Sequence, residues 1–496
     1  MDVIDVYKKN EVYLKLDCER GTARELSDYF TFEVPGAKFM PAYRNKFWDG
    51  KIRLFSTQTH QIYVGLIQHI KTFAEERGYE LKIHDGVLDT EDVAINELEK
   101  FITEETFTPR EYQTRAVAHA IRNNRALILS PTASGKSYII YSLLKYYLAN
   151  KLVKRALVIV PTTSLVQQMN SDFVSYSSKR QFYYTHLIMA GQEKFNPEAQ
   201  IFISTWQSIY KQHRSYFDNF DMVIGDEAHL FKANSLTKIM EKLPQCKYRF
   251  GFTGTLDDTQ TNKLVLEGLF GPVMRVVQTK DLIESGTLAD FRIKALVLKY
   301  PPEVCKVMHN AKYQDEIAFL ISNEKRNQFI KNLTLTRNGN TLLLFQMVEK
   351  HGKILYDLIK AEAEEDRHVF FVHGGVDADQ REEVRRITEG ERSAIIIASY
   401  GTFSTGVNIR NLHNIIFASP SKSRIRNLQS IGRGLRKGDS KERATLYDIS
   451  DDLCHKSSCN HTLKHFAVRI KMYNEEEFDY KIYNIKLGNG IVNTNN

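Results

Sequence analysis

Between Ala126 and Phe252 the chain alternates short apolar runs with longer stretches of helical period. This pattern restricts the fold more than any other feature of the sequence. The runs are Ala126–Ser130, Ala156–Val160, Ile201–Ser204, Met222–Gly225 and Tyr248–Phe252. Continuous apolar segments bounded by Gly, Pro and Ser predict strands covered on both faces, as in a parallel sheet. The stretches between them predict the covering helices. After Lys136, for example, Ile139, Ile140, Leu143, Leu144, Tyr147 and Leu148 fall on one face. A second series follows: Leu342–Gln346, His368–Val372, Ala394–Ala398, Asn414–Ala418 and Ala444–Tyr447. Two series predict two doubly wound parallel-sheet α/β domains in tandem, with Phe291–Tyr300 opening the second.

The first 90 or so residues read differently. Short alternations such as Val12-Tyr13-Leu14-Lys15-Leu16 predict a small α+β domain. The expected division is therefore 1–90, a small N-terminal domain; 91–290, the first doubly wound domain; 291–450, the second; and 451–496, a helical extension and tail. Charged residues make up 26% and hydrophobic residues 42%, the balance of a globular protein. No apolar run approaches the ~18 residues that a membrane helix needs, and no secretory signal is visible. Cys18, Cys246, Cys305, Cys454 and Cys459 are scattered and odd in number, which predicts free thiols in a reducing compartment. The net charge of +8 suits a polyanionic partner without proving one.

Ser130-Pro-Thr-Ala-Ser-Gly135-Lys136-Ser137 follows one predicted strand and opens a helix. Backbone N–H groups at such a helix start face phosphates. Ser134, Gly135 and Lys136 are expected to bind ATP, with Lys136 reaching the β and γ phosphates and the Ser137 hydroxyl on Mg²⁺. Ser130 stands where the usual pattern has its first glycine. Asp226-Glu227-Ala228-His229 ends another predicted strand, the place where α/β sheets bind ligands. Asp226 is expected to hold Mg²⁺, and Glu227 to orient and deprotonate the attacking water.

These motifs, with others in order between Pro109 and Arg436, resemble those of superfamily 2 helicases of the DEAH-box type. Pro109-Arg110-Glu111-Tyr112-Gln113 resembles the adenine-reading element, with Gln113 as reader. Val160 to Leu165 and Ser204-Thr205-Trp206-Gln207 resemble the first two strand-binding motifs, and Thr253-Gly254-Thr255 the coupling motif. Leu344-Phe345-Gln346, His373-Gly374, Gly401-Thr402 through Ile409, and Gln429 through Arg436 resemble the motifs of the second domain. The resemblance implies RecA-like folds for both domains. It implies nucleotide contacts from Gly406 and Asn408, coupling through His229, Thr253, Thr255 and Gln429, and arginine fingers at Arg433 and Arg436. A planar, permanently charged guanidinium suits the γ-phosphate. The chain as a whole, its N-terminal domain included, resembles the recombination helicases of T-even bacteriophages. That implies 3′-to-5′ movement on branched DNA (Holliday junctions, forks, D-loops, R-loops) in recombination, repair and replication control. A monomer in the host cytoplasm is the corresponding expectation.

Thr162, Thr163, Ser204, Thr205, His373 and Thr402 are expected to contact phosphates, which a motor can grip without reading sequence. Lys38, Arg44, Lys46, Lys51 and Arg53 interleave with Phe39, Phe47 and Trp48. Such a mixture suits phosphate contact with base stacking, or else a core under a solvated basic face. Cys454, His455, Cys459, His461 and His465 do not have the spacing of a standard zinc site. An RNA helicase, the motor of a restriction endonuclease and an ATP-switched annealing protein remain alternatives at this stage.

Overall fold

The computed structural model describes residues 2–487 apart from 35, 105–106, 132, 178–182, 190, 257–259, 403–408, 410, 420–421 and 436–442. The chain forms two compact units, which meet in sequence between Val277 and Gln278.

The first unit opens with β1 (Val3–Lys8), β2 (Tyr13–Asp17), β3 (Thr31–Glu33), β4 (Lys51–Arg53), β5 (Gln61–Tyr63) and β6 (Glu80–Ile83). Four of these make a mixed sheet ordered β5-β2-β1-β6, and β3 pairs with β4. Seven strands follow: β7 (Arg125–Leu129), β8 (Ala156–Val160), β9 (Thr185–Ile188), β10 (Ile201–Thr205), β11 (Met222–Asp226), β12 (Tyr248–Thr253) and β13 (Val273–Arg275). They form one sheet ordered β13-β7-β12-β11-β8-β10-β9, parallel throughout. The central strands β7, β8, β10, β11 and β12 are buried along their whole length, as their unbroken apolar runs require.

The N-terminal sheet is not an appendage on a linker. Ile4, Leu14, Leu66 and Phe73 share one hydrophobic core with Leu127, Leu264 and Phe270 of the seven-stranded layer. Tyr13 and Tyr63 both donate to Glu241 Oε1, at 3.0 and 2.7 Å, and Arg125 bonds the Glu11 carboxylate at 2.8 Å. A Cβ at Gly65 would lie 1.9 Å from the Glu267 carbonyl oxygen, so glycine permits this approach.

The second unit contains β14 (Asp290–Lys299), β15 (Thr341–Phe345), β16 (Val369–Val372), β17 (Ile395–Ser399), β18 (Asn414–Phe417), β19 (Arg443–Asp452) and β20 (Tyr480–Lys486). They build a second seven-stranded sheet, β16-β17-β15-β18-β19-β14-β20, again parallel. The chain is therefore a tandem of RecA-like α/β domains behind a small N-terminal domain. Three edge strands, β9, β13 and β20, go beyond those expected from the sequence. β19 also continues past Tyr447 through Asp448, Ser450 and Asp451. These polar residues are buried because each finds a partner. Arg326 binds Asp451 through two nitrogens at 2.8 and 3.0 Å. Arg469 and Tyr473 both donate to Asp448 Oδ2, at 2.8 and 2.9 Å.

The helix His461–Glu475 covers this sheet with Thr462, Phe466, Arg469, Met472 and Tyr473. Its first turn is capped from outside by Glu316. Oε2 accepts the His461 N–H at 2.8 Å, and Oε1 accepts the Thr462 N–H at 2.8 Å and hydroxyl at 2.6 Å. Asn460 Nδ2 adds a bond at 2.8 Å. Burial alone would raise the Glu316 pKa, but these donors outweigh it and hold the carboxyl below the ordinary glutamate value. A carboxylate at a helix N-terminus also opposes the positive end of the dipole. The group is more acidic folded than unfolded, so its stabilisation is fully present above the unfolded value of about 4.3 and is lost as pH falls through the folded one. Glu316→Gln turns an acceptor into a donor facing N–H groups. It should cost the second unit about 2–3 kcal/mol at pH 7, with the penalty shrinking below pH 4. Urea titrations of both proteins across that range measure it.

Candidate functional site

Three neighbouring strands of the first unit end together. Register pairs Leu129 of β7 with Thr253 of β12, and Phe252 of β12 with Asp226 of β11. The turns after these strands carry the phosphate loop, the coupling motif and the acidic box, so sheet order alone brings three distant sequence motifs to one edge.

The phosphate loop leads into the helix Lys136–Ala149 through backbone of left-handed conformation, with φ of 64° at Ala133 and 80° at Gly135. Left-handed backbone in such a loop turns N–H groups inward to make an anion-binding concavity. Gly135 is required twice over, by its φ and because a Cβ would lie 2.2 Å from Gln113 Nε2. The departure at Ser130 has a structural reason. Its Oγ lies 2.5 Å from Ser134 Oγ, and its N–H donates to the Thr253 carbonyl at 2.9 Å. The hydroxyl pins the loop, and the backbone ties it to the coupling motif.

Lys136 Nζ lies 2.5 Å from Asp226 Oδ1 and 3.2 Å from Glu227 Oε1. The two carboxylates outweigh burial and raise the lysine pKa above its ordinary value. The carboxylates themselves split. Burial pushes Asp226 up more than Lys136 pulls it down. Glu227 is also disfavoured by burial, but Lys136 and His229 overcome this and bring it to about 2. Glu227 adopts φ 50° and ψ 52°, a left-handed conformation that a side chain other than glycine rarely takes. Such strain concentrates at sites where position matters.

His229 joins the acidic box to the coupling motif. Its Nδ1 is 2.9 Å from Thr253 Oγ1 and 3.3 Å from Glu227 Oε2. Thr253 Oγ1 donates its hydrogen to the Thr255 carbonyl at 2.9 Å. It must therefore accept from His229, which places the imidazole proton on Nδ1. Both His229 and Thr253 are buried.

Gln113 is buried beneath the loop. Its Oε1 accepts the Arg110 N–H at 2.9 Å, and its Nε2 donates to the Ser134 carbonyl at 2.9 Å. Tyr112, which sequence reasoning passed over, donates to the same carbonyl at 3.1 Å. Ser137 Oγ lies 2.8 Å from the hydroxyl of Tyr176, a residue with no sequence signal of its own. Hydroxyl and carboxylate oxygens from Ser137 and Asp226 make a donor set suited to Mg²⁺. Asp226 Oδ1 already faces the Lys136 ammonium, so a metal ion could take its place only as that ammonium withdraws.

The expected strand contacts divide by exposure. Thr162 caps the helix Thr163–Tyr176 by accepting the Leu165 N–H at 3.4 Å, and Thr163 is exposed. Ser204 and Thr205 lie beside them, since Val160 pairs with Thr205. Both are buried, with hydroxyls bonded to the Thr205 carbonyl and to Ser208. In the second unit His373 and Thr402 follow the adjacent strands β16 and β17. His373 Nδ1 accepts the Gly375 N–H at 3.2 Å, and the buried Thr402 hydroxyl lies 2.8 Å from Ser399 Oγ. Gln429 and Arg433 lie on the helix Arg424–Gly434. The Arg433 side chain, Gly406, Asn408 and Arg436 fall outside the described residues.

In the N-terminal domain the segment between β3 and β4 is an exposed platform. Phe39 and Phe47 are 77% and 86% exposed, so they are not core. Trp48 is half-buried, and its Nε1 donates to the Lys51 carbonyl at 2.8 Å. Lys38, Arg44, Lys46 and Lys51 are exposed around them. Arg53 is paired with Asp49 at 2.5 Å. All five cysteines are free thiols. Among the described residues no His, Cys, Asp and Glu cluster is arranged to hold a metal ion, and no helix is long and apolar enough to cross a membrane.

Comparison with known proteins agrees with this geometry. Residues 3–84 match the family described as DNA helicase UvsW, N-terminal. Residues 106–258 match Type III restriction enzyme, res subunit, and 324–438 match Helicase conserved C-terminal domain. The ATP-dependent DNA helicase uvsW of Enterobacteria phage T4 is 34% identical over 509 residues, covering 98% of this chain and 100% of that protein. The crystal structure of T4 UvsW covers the same shares with a TM-score of 0.52. The DNA 3'-5' translocase XPB2 of Sulfurisphaera tokodaii is 22% identical over 73% of this chain and 86% of its own length. A fragment of an HsdR subunit of a type I restriction enzyme from Vibrio vulnificus, 15% identical with a TM-score of 0.58 over 96% of this chain and 88% of its own, shares the fold. The chain belongs to the UvsW family of ATP-dependent DNA helicases, within superfamily 2.

Proposed function

We propose that this helicase is a DEAH-type motor that uses Mg²⁺ and ATP to move 3′-to-5′ on branched DNA: Holliday junctions, forks, D-loops and R-loops. The setting would be recombination, repair and replication control, with the protein acting as a monomer in the host cytoplasm. The observation that carries the branched-DNA reading is the pair of exposed aromatics, Phe39 and Phe47, set among exposed lysines and arginine in a domain that shares a core with the ATPase. Charge gives sequence-independent grip on phosphates, and an aromatic face stacks on a base that has lost its partner. Such bases occur at branch points. The direction rests on the archaeal relative named as a 3'-5' translocase.

In this reading the Lys136 ammonium leaves its two carboxylates for the β and γ phosphates. Ser137 and Asp226 are the residues that would hold Mg²⁺, which when bound would supply charge neutralisation at the phosphates. Glu227 is ionised at neutral pH and takes the proton of the attacking water. His229 reports the position of that carboxylate to Thr253, which leads into the coupling motif through Thr255. Gln113 holds the loop in register below the adenine, with Gly406 and Asn408 contributing from the second domain. Arg433 and Arg436 act as fingers on the γ-phosphate, and Gln429 takes part in coupling. Thr162, Thr163 and His373 contact strand phosphates directly. Ser204, Thr205 and Thr402 are buried, so they act by holding the backbone that does so.

Glu227→Gln should lower turnover by about 10²–10⁴-fold while ATP still binds. Near-parental turnover would remove Glu227 from the role of base. On the DNA side, Lys46→Glu with Lys51→Glu should weaken binding to forks and junctions and flatten the salt dependence by about two in log–log slope. ATP affinity without DNA should not change. These lysines are chosen because Arg53 is already paired with Asp49. If the folded double variant binds junctions like the parent across a salt series, the platform is not a DNA contact.

A further inference from the structure

The helix His461–Glu475 lies beyond every helicase motif, yet its C-terminal end grips the helix that carries Arg433. Arg424 opens the helix Arg424–Gly434 and ion-pairs with both Glu475 and Glu476, the latter at 2.7 Å. Its side chain is 13% exposed and that of Glu476 is 9% exposed, so this contact is largely withdrawn from water. A half-buried arginine held by two carboxylates has a defined direction, unlike a surface ion pair, which wanders. Two residues on, the Arg426 guanidinium lies 5.7 Å from the ring centroid of Tyr400, the residue before Gly401-Thr402. The gripping helix is itself fixed at both earlier points of its length. Glu316 caps its first turn, and Arg469 and Tyr473 are bound to the buried Asp448 of β19.

We propose that the C-terminal helix is a strut that positions the helix Arg424–Gly434, with Glu475 and Glu476 setting through Arg424 where the backbone at Arg433 is held. Arg433 follows Arg424 by about 13 Å along the same helix axis. A small rotation at the clamped end therefore moves the finger end by enough to matter, because transition-state contacts tolerate only fractions of an ångström. Glu475 and Glu476 touch no nucleotide; they are positioning residues that act through Arg424. The inference rests on the reading of Arg433 and Arg436 as fingers.

The test is steady-state ATP turnover with DNA present, on the full chain. Glu475→Lys with Glu476→Lys should lower kcat about 10-fold or more while KM for ATP stays within about twofold, because fingers act on the transition state. The opposite swap, Arg424→Glu with Glu475→Arg and Glu476→Arg, should recover most of kcat. A structural defect would not be rescued by reversing all three charges. Arg424→Gln serves as a milder variant should the lysine pair fail to fold, and it should show the same split. In an Arg433→Ala, Arg436→Ala background the clamp variants should cost nothing further. Parental kcat in the folded clamp variants, or a loss that the swap does not restore, overturns the strut. If the arginine pair itself turns over normally, the finger reading has failed and the strut falls with it. If the arginine pair collapses while the clamp variants do not, the strut alone is wrong.

Discussion

Lys136 stands between Asp226 and Glu227, and the first unit is arranged around that cluster. A lysine within reach of two carboxylates is stabilised where it sits, yet the three groups carry a net negative charge. A polyphosphate brought to the lysine would draw it from the carboxylates, which would then need a cation of their own. The site is thus internally paired in a way that nucleotide and metal together can replace. The unequal acidity of the two carboxylates follows from position. Asp226 is fully buried at a strand end. Glu227 has turned out of the strand into left-handed backbone, where the lysine and the imidazole both favour its charge.

The imidazole ties the cluster to the end of β12. Buried polar groups in a low-dielectric interior are costly to leave unpaired. His229, Thr253 and Thr255 form a chain whose hydrogen directions are fixed by their partners. When the Glu227 carboxylate shifts, that chain must readjust, and its far end is the loop after β12. Ser130 adds a second tie, since its N–H is bonded to the Thr253 carbonyl. The phosphate loop and the coupling motif therefore cannot move independently. The N-terminal domain is held to the same unit by a shared core and by part-buried tyrosine–glutamate bonds, so the exposed platform and the phosphate loop belong to one compact unit.

The central strands were legible because full burial needs unbroken apolar runs, and turn residues mark their ends. The meeting of the phosphate loop and the acidic box was legible for the related reason that both motifs follow directly on such strand ends. The misses have physical causes. β9 is half exposed, β13 has three residues, and β20 alternates exposed positions, so edge strands lack the apolar signal. β19 runs through Asp448 and Asp451, whose charges are neutralised by Arg469 and Arg326 from elsewhere in the chain. No local pattern announces that. Tyr176 beside Ser137 and Glu475 beside Arg424 are contacts made by the fold alone. Ser204 and Thr205 read as phosphate contacts from their motif, yet burial gives them a supporting place.

In the proposed function, ATP turnover at this cluster is driven by branched DNA held at the N-terminal platform. Turnover rates with single-stranded DNA, duplex, four-way junction, RNA and RNA–DNA hybrid, measured side by side at fixed salt, test it most directly. Stimulation by DNA is expected, greatest with the junction, with only weak stimulation by single-stranded RNA. Equal or greater stimulation by single-stranded RNA, or no preference for the junction over plain duplex, would contradict it.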